Sequence, residues 1–169
     1  MFGAFLGYLW CCLRLFLRTP SGRKRHNILG ALDYLTQQLI TVANTTYINA
    51  VTVCELLQTL ADRYPGPLLT LVMDNARYQR CRLVKDKAEA LGIELLFLPS
   101  YSPNLNLIER VWKFVKAECL AGKYYETFEQ FQQGITTCVN NLSSKYKAKM
   151  DTLITRNFQL FDNQTFLAA

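Results

Sequence analysis

Hydrophobic and polar positions follow two different periods along this chain, and the switches between them mark its elements. Leu68 to Met73 runs without polar alternation, the pattern of a strand buried on both faces of a parallel sheet, and Asp74, Asn75 and Ala76 end it with turn chemistry. Tyr78 to Leu91 reads as a helix stopped by Gly92, and Ile93 to Leu98 as the next buried strand. Pro99 and Pro103 punctuate a rigid loop. Asn104 or Asn106 caps the helix that follows, on which Ile108, Val111, Trp112 and Val115 take the spacing of a buried face. Upstream, GALDYLTQQLITV sets two apolar runs around a polar turn near Thr36 to Gln38, which predicts an antiparallel hairpin. Between hairpin and strand, Asn49 caps a helix within 49–66 whose buried stripe is Val53, Leu56, Leu57 and Leu60. Thr127 to Asn141 reads as a further helix with Phe128, Phe131, Ile135 and Cys138 on one face, and the residues from Lys145 onward carry mixed polarity and no motif.

These elements place two carboxylates where chemistry can use them. Asp74 stands at the carboxyl end of a predicted strand, the edge at which ligands collect in open α/β sheets. Glu109, Lys113 and Lys116 share a helix face at i, i+4 and i+7, away from the apolar stripe. The 34 residues between the two acids (75–108) contain one predicted helix, one strand and one Pro-punctuated turn. Mg²⁺ is bound by a few carboxylates together with phosphate oxygens, so two acids converging near a basic surface suit metal-assisted phosphodiester chemistry. Taken singly, each has a plainer reading: the Asp as a helix cap, the Glu as half of a solvated pair worth roughly a few tenths of a kcal/mol.

Composition and charge narrow the partners. The net charge is +6 with a pI near 9.1, which favours polyanions. Arg14, Arg18, Arg23, Lys24 and Arg25 all precede the first acid, and the turn-rich cluster SGRKRH fits contact with a nucleic-acid backbone. Lys145, Lys147 and Lys149 form a second, weaker basic stretch. Six cysteines without C-x-x-C spacing, and a single histidine, His26, give no pattern for zinc; they read as free thiols in a reducing cytosol. An ordinary nucleophile triad would have to use His26 itself, and nothing around it resembles one. The apolar opening MFGAFLGYLWCCLRLFLR lacks a basic residue ahead of its apolar run and a small-residue cleavage site, and Arg14 interrupts it too early for a membrane span. No repeat or low-complexity tract divides the 169 residues, so one domain is expected.

The segments VMDNARYQ and LFLPSYSPNLNLIERVWKFVK resemble the second and third catalytic blocks of DDE transposases of the mariner-type superfamily, in the branch found in bacterial insertion sequences, and the interval between the acids matches one of that superfamily's spacings. TPSGRKRHNILGALDYLTQQLITV is similar to the basic loop and hairpin of the same domain. The resemblance implies a ribonuclease H-like fold of the retroviral-integrase type, a mixed α/β sheet flanked by helices, here with its opening strand incomplete. It assigns residues 1–141 to the catalytic domain and leaves 142–169 as a tail. It makes Asp74 and Glu109 the second and third catalytic, metal-binding carboxylates for Mg²⁺ or Mn²⁺ in the intact parent enzyme. Arg23, Lys24, Arg25, Lys113 and Lys116 become its DNA-binding residues.

Departures from that pattern are Gln79 for a His, and Ser100 and Leu107 for prolines. The family's first catalytic Asp precedes a segment resembling FGAFLGYLW, where this chain begins, and no Asp or Glu occurs before Asp33, which falls in the hairpin. An N-terminally truncated catalytic domain is therefore expected, without the usual helix-turn-helix region. The family reaction is metal-dependent DNA cleavage and strand transfer. The alternative for this chain is an inactive remnant that binds DNA or pairs with an intact transposase. DNA, a second copy or an intact transposase are the expected partners, in the cytoplasm and without a membrane.

Overall fold

In a computed structural model, residues 24–66, 69–99 and 106–154 are described. Strands β1 (Asn27–Leu32) and β2 (Leu39–Asn44) form the expected antiparallel hairpin, in register from Asn27 opposite Asn44 to Leu32 opposite Leu39. Its turn is closed by the Asp33 amide donating to the Gln38 carbonyl at 2.9 Å, with Gln37 in the left-handed region at φ 57°. Helix α1 (Ala50–Arg63) starts where Asn49 accepts from the Thr52 amide, and it buries Val53, Leu56, Leu57 and Leu60 as the periodicity predicts.

Strands β3 (Leu69–Met73) and β4 (Ile93–Phe97) pair in parallel, joined by helix α2 (Arg82–Ala90). Two expectations fail in this unit. First, β3 and β4 are not buried on both faces. Leu69, Leu71, Met73, Ile93, Leu95 and Phe97 pack inward, whereas Thr70, Val72, Glu94 and Leu96 are exposed, Val72 at 47% and Leu96 at 52%. The apolar outward residues made the run look continuous, but among the described residues only one face meets helices. Second, the helix begins at Arg82 rather than Tyr78. The amides of Gln79 and Arg80 both donate to the Ala76 carbonyl, so 77–80 forms a turn ahead of the extended Cys81.

Two cores result. In the first, α1 is the bridge: its buried stripe meets Ala31 and Ile40 of the hairpin, Met73 and Ile93 of the parallel pair, and Val84 and Ala88 of α2. The second lies among α3 (Leu107–Cys119), α4 (Phe128–Asn140) and α5 (Lys147–Leu153), through Val111, Val115, Ile135, Val139, Leu142 and Met150. Residues 142–154 thus extend that core, with Leu142 and Met150 fully enclosed. Trp112 of α3 lies across β1 so closely that a Cβ on Gly30 would stand 3.0 Å from its ring. Asn106, not Asn104, takes the N-cap position of α3; residues 100–105 lie outside the described set. Thr127 and Gln130 close α4 with a reciprocal capping box.

The expectation of free thiols is corrected at one pair. Cys119 ends α3, Cys138 stands on α4, and their packing brings the Cα atoms within 6.5 Å, where the sulfurs form a disulfide. Cys54 and Cys81 are free; Cys11 and Cys12 fall outside the described residues. None of the described helices is long and apolar enough to cross a membrane.

Candidate functional site

A cleft of about 880 Å³ opens between β1 and β3, backed by α1 and α3. Asp74 and Glu109 both line it. Pairing with β4 persists to the end of β3, where the Leu98 amide donates to the Met73 carbonyl at 2.8 Å, so Asp74 is the first residue released at the carboxyl edge. Glu109 occupies the first turn of α3, where the positive end of the helix dipole favours an acid. Both carboxylates are exposed, and no ion pair ties either to another described residue. The two acids that the sequence singled out thus line one cleft.

Asp33 also lines the cleft, but its oxygens are taken. Oδ1 accepts the amides of Leu35 at 2.9 Å and Thr36 at 3.2 Å, and Oδ2 accepts the Tyr64 hydroxyl at 2.9 Å. Burial pushes this carboxyl up, yet the hydrogen bonds from Thr36, Tyr64 and Leu35 outweigh it and hold the group below its ordinary value. Asp33 is a turn residue by position and by bonding. Among the described residues no group of three or more His, Cys, Asp or Glu side chains is placed to hold a metal.

Sequence reasoning missed two neighbours of Asp74 by assigning them to a helix. Tyr78 and Gln79 lie in the turn and line the same cleft. Burial raises the Tyr78 phenol, the nearby Asp74 charge raises it further, and a hydrogen bond with Gln79 pulls the other way. Gln79 is only 7% exposed, and its Oε1 is a buried acceptor without a partner. Position was the available signal, since both lie in the turn shortly after a strand-terminal acid.

The basic residues stand apart from the cleft. Lys24 lies 3.9 Å from the Glu129 carboxylate and 5.4 Å over the Phe128 ring, and Arg25 lies 5.0 Å over Tyr47. Lys113 and Lys116 are exposed on α3, as is Glu109, and none of these four basic residues lines the cleft. Arg23, Arg14 and Arg18 lie outside the described residues.

The oxygen donors present fit a hard divalent cation in part. Two carboxylates without an ion pair to any described residue and the orphaned Gln79 oxygen share one cleft, the donor chemistry that Mg²⁺ and its bound waters accept, while a third acidic ligand is missing from the described set.

The family model described as DDE superfamily endonuclease matches residues 14–132. The fold is similar to the catalytic core domain of BIV integrase, with a TM-score of 0.54 at 16% identity over 76% of this chain and 92% of that one. It is also similar to the Mos1 transposase catalytic domain solved with raltegravir and Mg, with a TM-score of 0.50 at 14% identity over 82% of this chain and 84% of that one. At such identities the likeness is one of fold, the mixed α/β ribonuclease H-like core of integrases and transposases. No curated protein sequence matches the chain.

Proposed function

The chain belongs to the DDE endonuclease superfamily, and from that premise we propose that it is a transposase-type catalytic domain for divalent-metal-dependent DNA cleavage and strand transfer, with Asp74 and Glu109 as its metal-binding carboxylates. The observation that carries this reading is their convergence on one cleft from separate elements, each free of ion pairs with described residues. A bound Mg²⁺ would supply Lewis-acid stabilisation of the phosphodiester oxygens. The residues of the chain have the remaining roles. Asp74 and Glu109 would hold the cation, and the Gln79 amide oxygen, buried without a partner, would offer a hydrogen-bond acceptor in the same cleft. The Tyr78 phenol, kept protonated by burial and by Asp74, serves as a neutral hydrogen-bond donor beside the cleft. Lys24, Arg25, Lys113 and Lys116, with Arg23, meet DNA phosphates outside it.

A second reading is favoured by Asp33. Two-metal chemistry needs a ligand that fixes both ions, residues 1–32 contain no Asp or Glu, and Asp33 is committed to its turn. On this reading the 169-residue polypeptide by itself binds DNA, or an intact transposase, without cutting. Two measurements on the purified chain separate the possibilities. Mn²⁺ binding that is lost in both Asp74→Ala and Glu109→Ala supports the site, and binding unchanged in both overturns it. Plasmid nicking with Mg²⁺ or Mn²⁺ that Asp74→Ala abolishes supports an active enzyme and excludes the second reading. DNA binding without nicking supports the second.

A further inference from the structure

Lys145, Lys147 and Lys149 are exposed and stand outside the cleft, and the packing of α3 fixes what lies between. Side chains at i, i+4 and i+8 line up as rows along a helix. Each row of α3 meets different surroundings. Val111, Val115 and Cys119 form the core row. Ile108 and Trp112 line the cleft. Glu109, Lys113 and Ala117 form an exposed row, which Glu109 begins at the margin of the cleft. The remaining row, Arg110, Phe114 and Glu118, is covered by α5 and the residues leading into it. Arg110 donates to the Leu153 carbonyl at 3.3 Å, the Phe114 ring meets Tyr146 edge-on with centroids 5.4 Å apart, and the Glu118 carboxylate accepts from Lys149 at 3.1 Å. The exposed row, with Lys113 at its middle, therefore lies between the acidic cleft and α5.

Ammonium groups gather on the α5 side of that row. Lys149 Nζ stands 5.8 Å over the Phe114 ring and 5.8 Å over Tyr146, and Lys145 Nζ stands 5.3 Å over the same Tyr146 ring. Lys123 donates to the Glu118 carbonyl. Two like charges held over one ring repel each other, and the ring faces offset that only in part. Among the described residues Glu118 is the one carboxylate within salt-bridge distance of Lys149, and Lys145 has none. A phosphodiester supplies the missing negative charge, and it can displace Glu118 because that pair is partly exposed.

We propose that Lys145 and Lys149 form a phosphate-binding site for duplex DNA, continuous across Lys113 with the cleft, which holds the flank of the DNA whose reacting bond lies at Asp74 and Glu109. This rests on the reading of the cleft as a DNA-processing site, and it adds a segment, 142–154, that lies beyond the family match at 14–132. The surface chemistry selects a nucleic-acid backbone over an anionic membrane. Binding in a lipid interface needs exposed apolar side chains beside the lysines. None of the exposed large hydrophobic residues of the described chain lies on α3 or α5, and Phe114 and Tyr146 are half-buried beneath the ammonium groups.

Anisotropy of a labelled duplex with the full 169-residue protein, without divalent metal, tests this. Lys145→Gln with Lys149→Gln should lower the slope of log affinity against log salt by about 2 units. A photoreactive benzoylphenylalanine in place of exposed Ala148 should crosslink to the duplex, and one in place of exposed Ala90 of α2 should not. The crosslink is made in a chain that keeps both lysines, so it does not depend on the folding of the double variant. Duplex binding with an unchanged slope and no crosslink at position 148 would overturn this site and leave the reading of the cleft standing. No duplex binding by the unaltered protein would overturn the site together with that reading. Lysine-dependent binding to vesicles of equal phosphatidylserine and phosphatidylcholine, in place of the duplex, would assign the patch to a membrane surface and reject the proposal.

Discussion

Two aspartates show what a sequence says and omits about single residues. Asp74 was legible because an apolar run ends at it, and Asp33 was legible as a turn residue because two apolar runs flank it. The bond from the Tyr64 hydroxyl to Asp33 was not, since it spans 31 positions and depends on α1 lying beneath the hairpin. Nor was the placement of Gln79, because a turn and a first helical turn have similar residue preferences. The two acids should respond differently to removal. Asp33→Ala takes away the acceptor for two turn amides and a phenol, and should cost about 1–2 kcal/mol of unfolding free energy at neutral pH. Because the folded state holds the Asp33 carboxyl below its ordinary 3.8, the stabilisation from its ionised form is complete above that value and is lost as pH falls through the folded value. The penalty of the variant should therefore shrink in acid. Asp74→Ala, measured without divalent metal, should change stability by less than about 0.5 kcal/mol. Urea unfolding at several pH values checks both, and a costless Asp33→Ala would show that its turn bonds do not stabilise the fold.

At the scale of elements, helices with a clear cap and one apolar stripe were read well, since both signals are local. Asn49 and Thr127 cap α1 and α4, and the buried stripe of α1 is the one its spacing predicts. Strand burial was read less well, because outward Val72 and Leu96 are as apolar as their inward neighbours. Packing of one helix on another was hidden. Cys119 and Cys138 meet only because α3 packs on α4, and no local pattern encodes that crossing. A crosslink closing a loop with a sequence separation of 19 restricts the unfolded chain and should contribute about 3 kcal/mol. Reductant should accordingly lower the melting temperature of the protein. The same reductant should leave a Cys119→Ala, Cys138→Ala double variant unmoved, and an equal response in both would show that this pair is not the one being reduced.

Across the whole molecule, the sequence motifs anticipated the fold class, a mixed α/β sheet flanked by helices. Charge distribution adds a further tertiary property. Among the described residues no Lys or Arg lines the acidic cleft: Lys24 and Arg25 lie against aromatic rings of α4 and the segment after β2, whereas Lys113 and Lys116 stand along α3. The Lys24–Glu129 contact is long and exposed, so a phosphate can displace it. If both patches meet one duplex, affinity should fall steeply with salt and depend little on sequence. Lys24→Gln with Arg25→Gln should reduce the slope of log affinity against log salt by about 2 units, and Lys113→Gln with Lys116→Gln by a similar amount. Asp74→Asn, which removes a negative charge at the cleft, should instead tighten metal-free binding. Fluorescence anisotropy with a labelled duplex across a salt series measures all three. A slope unchanged by both lysine and arginine pairs would place the DNA elsewhere on the protein, and a loss confined to one pair would identify the single face that meets it.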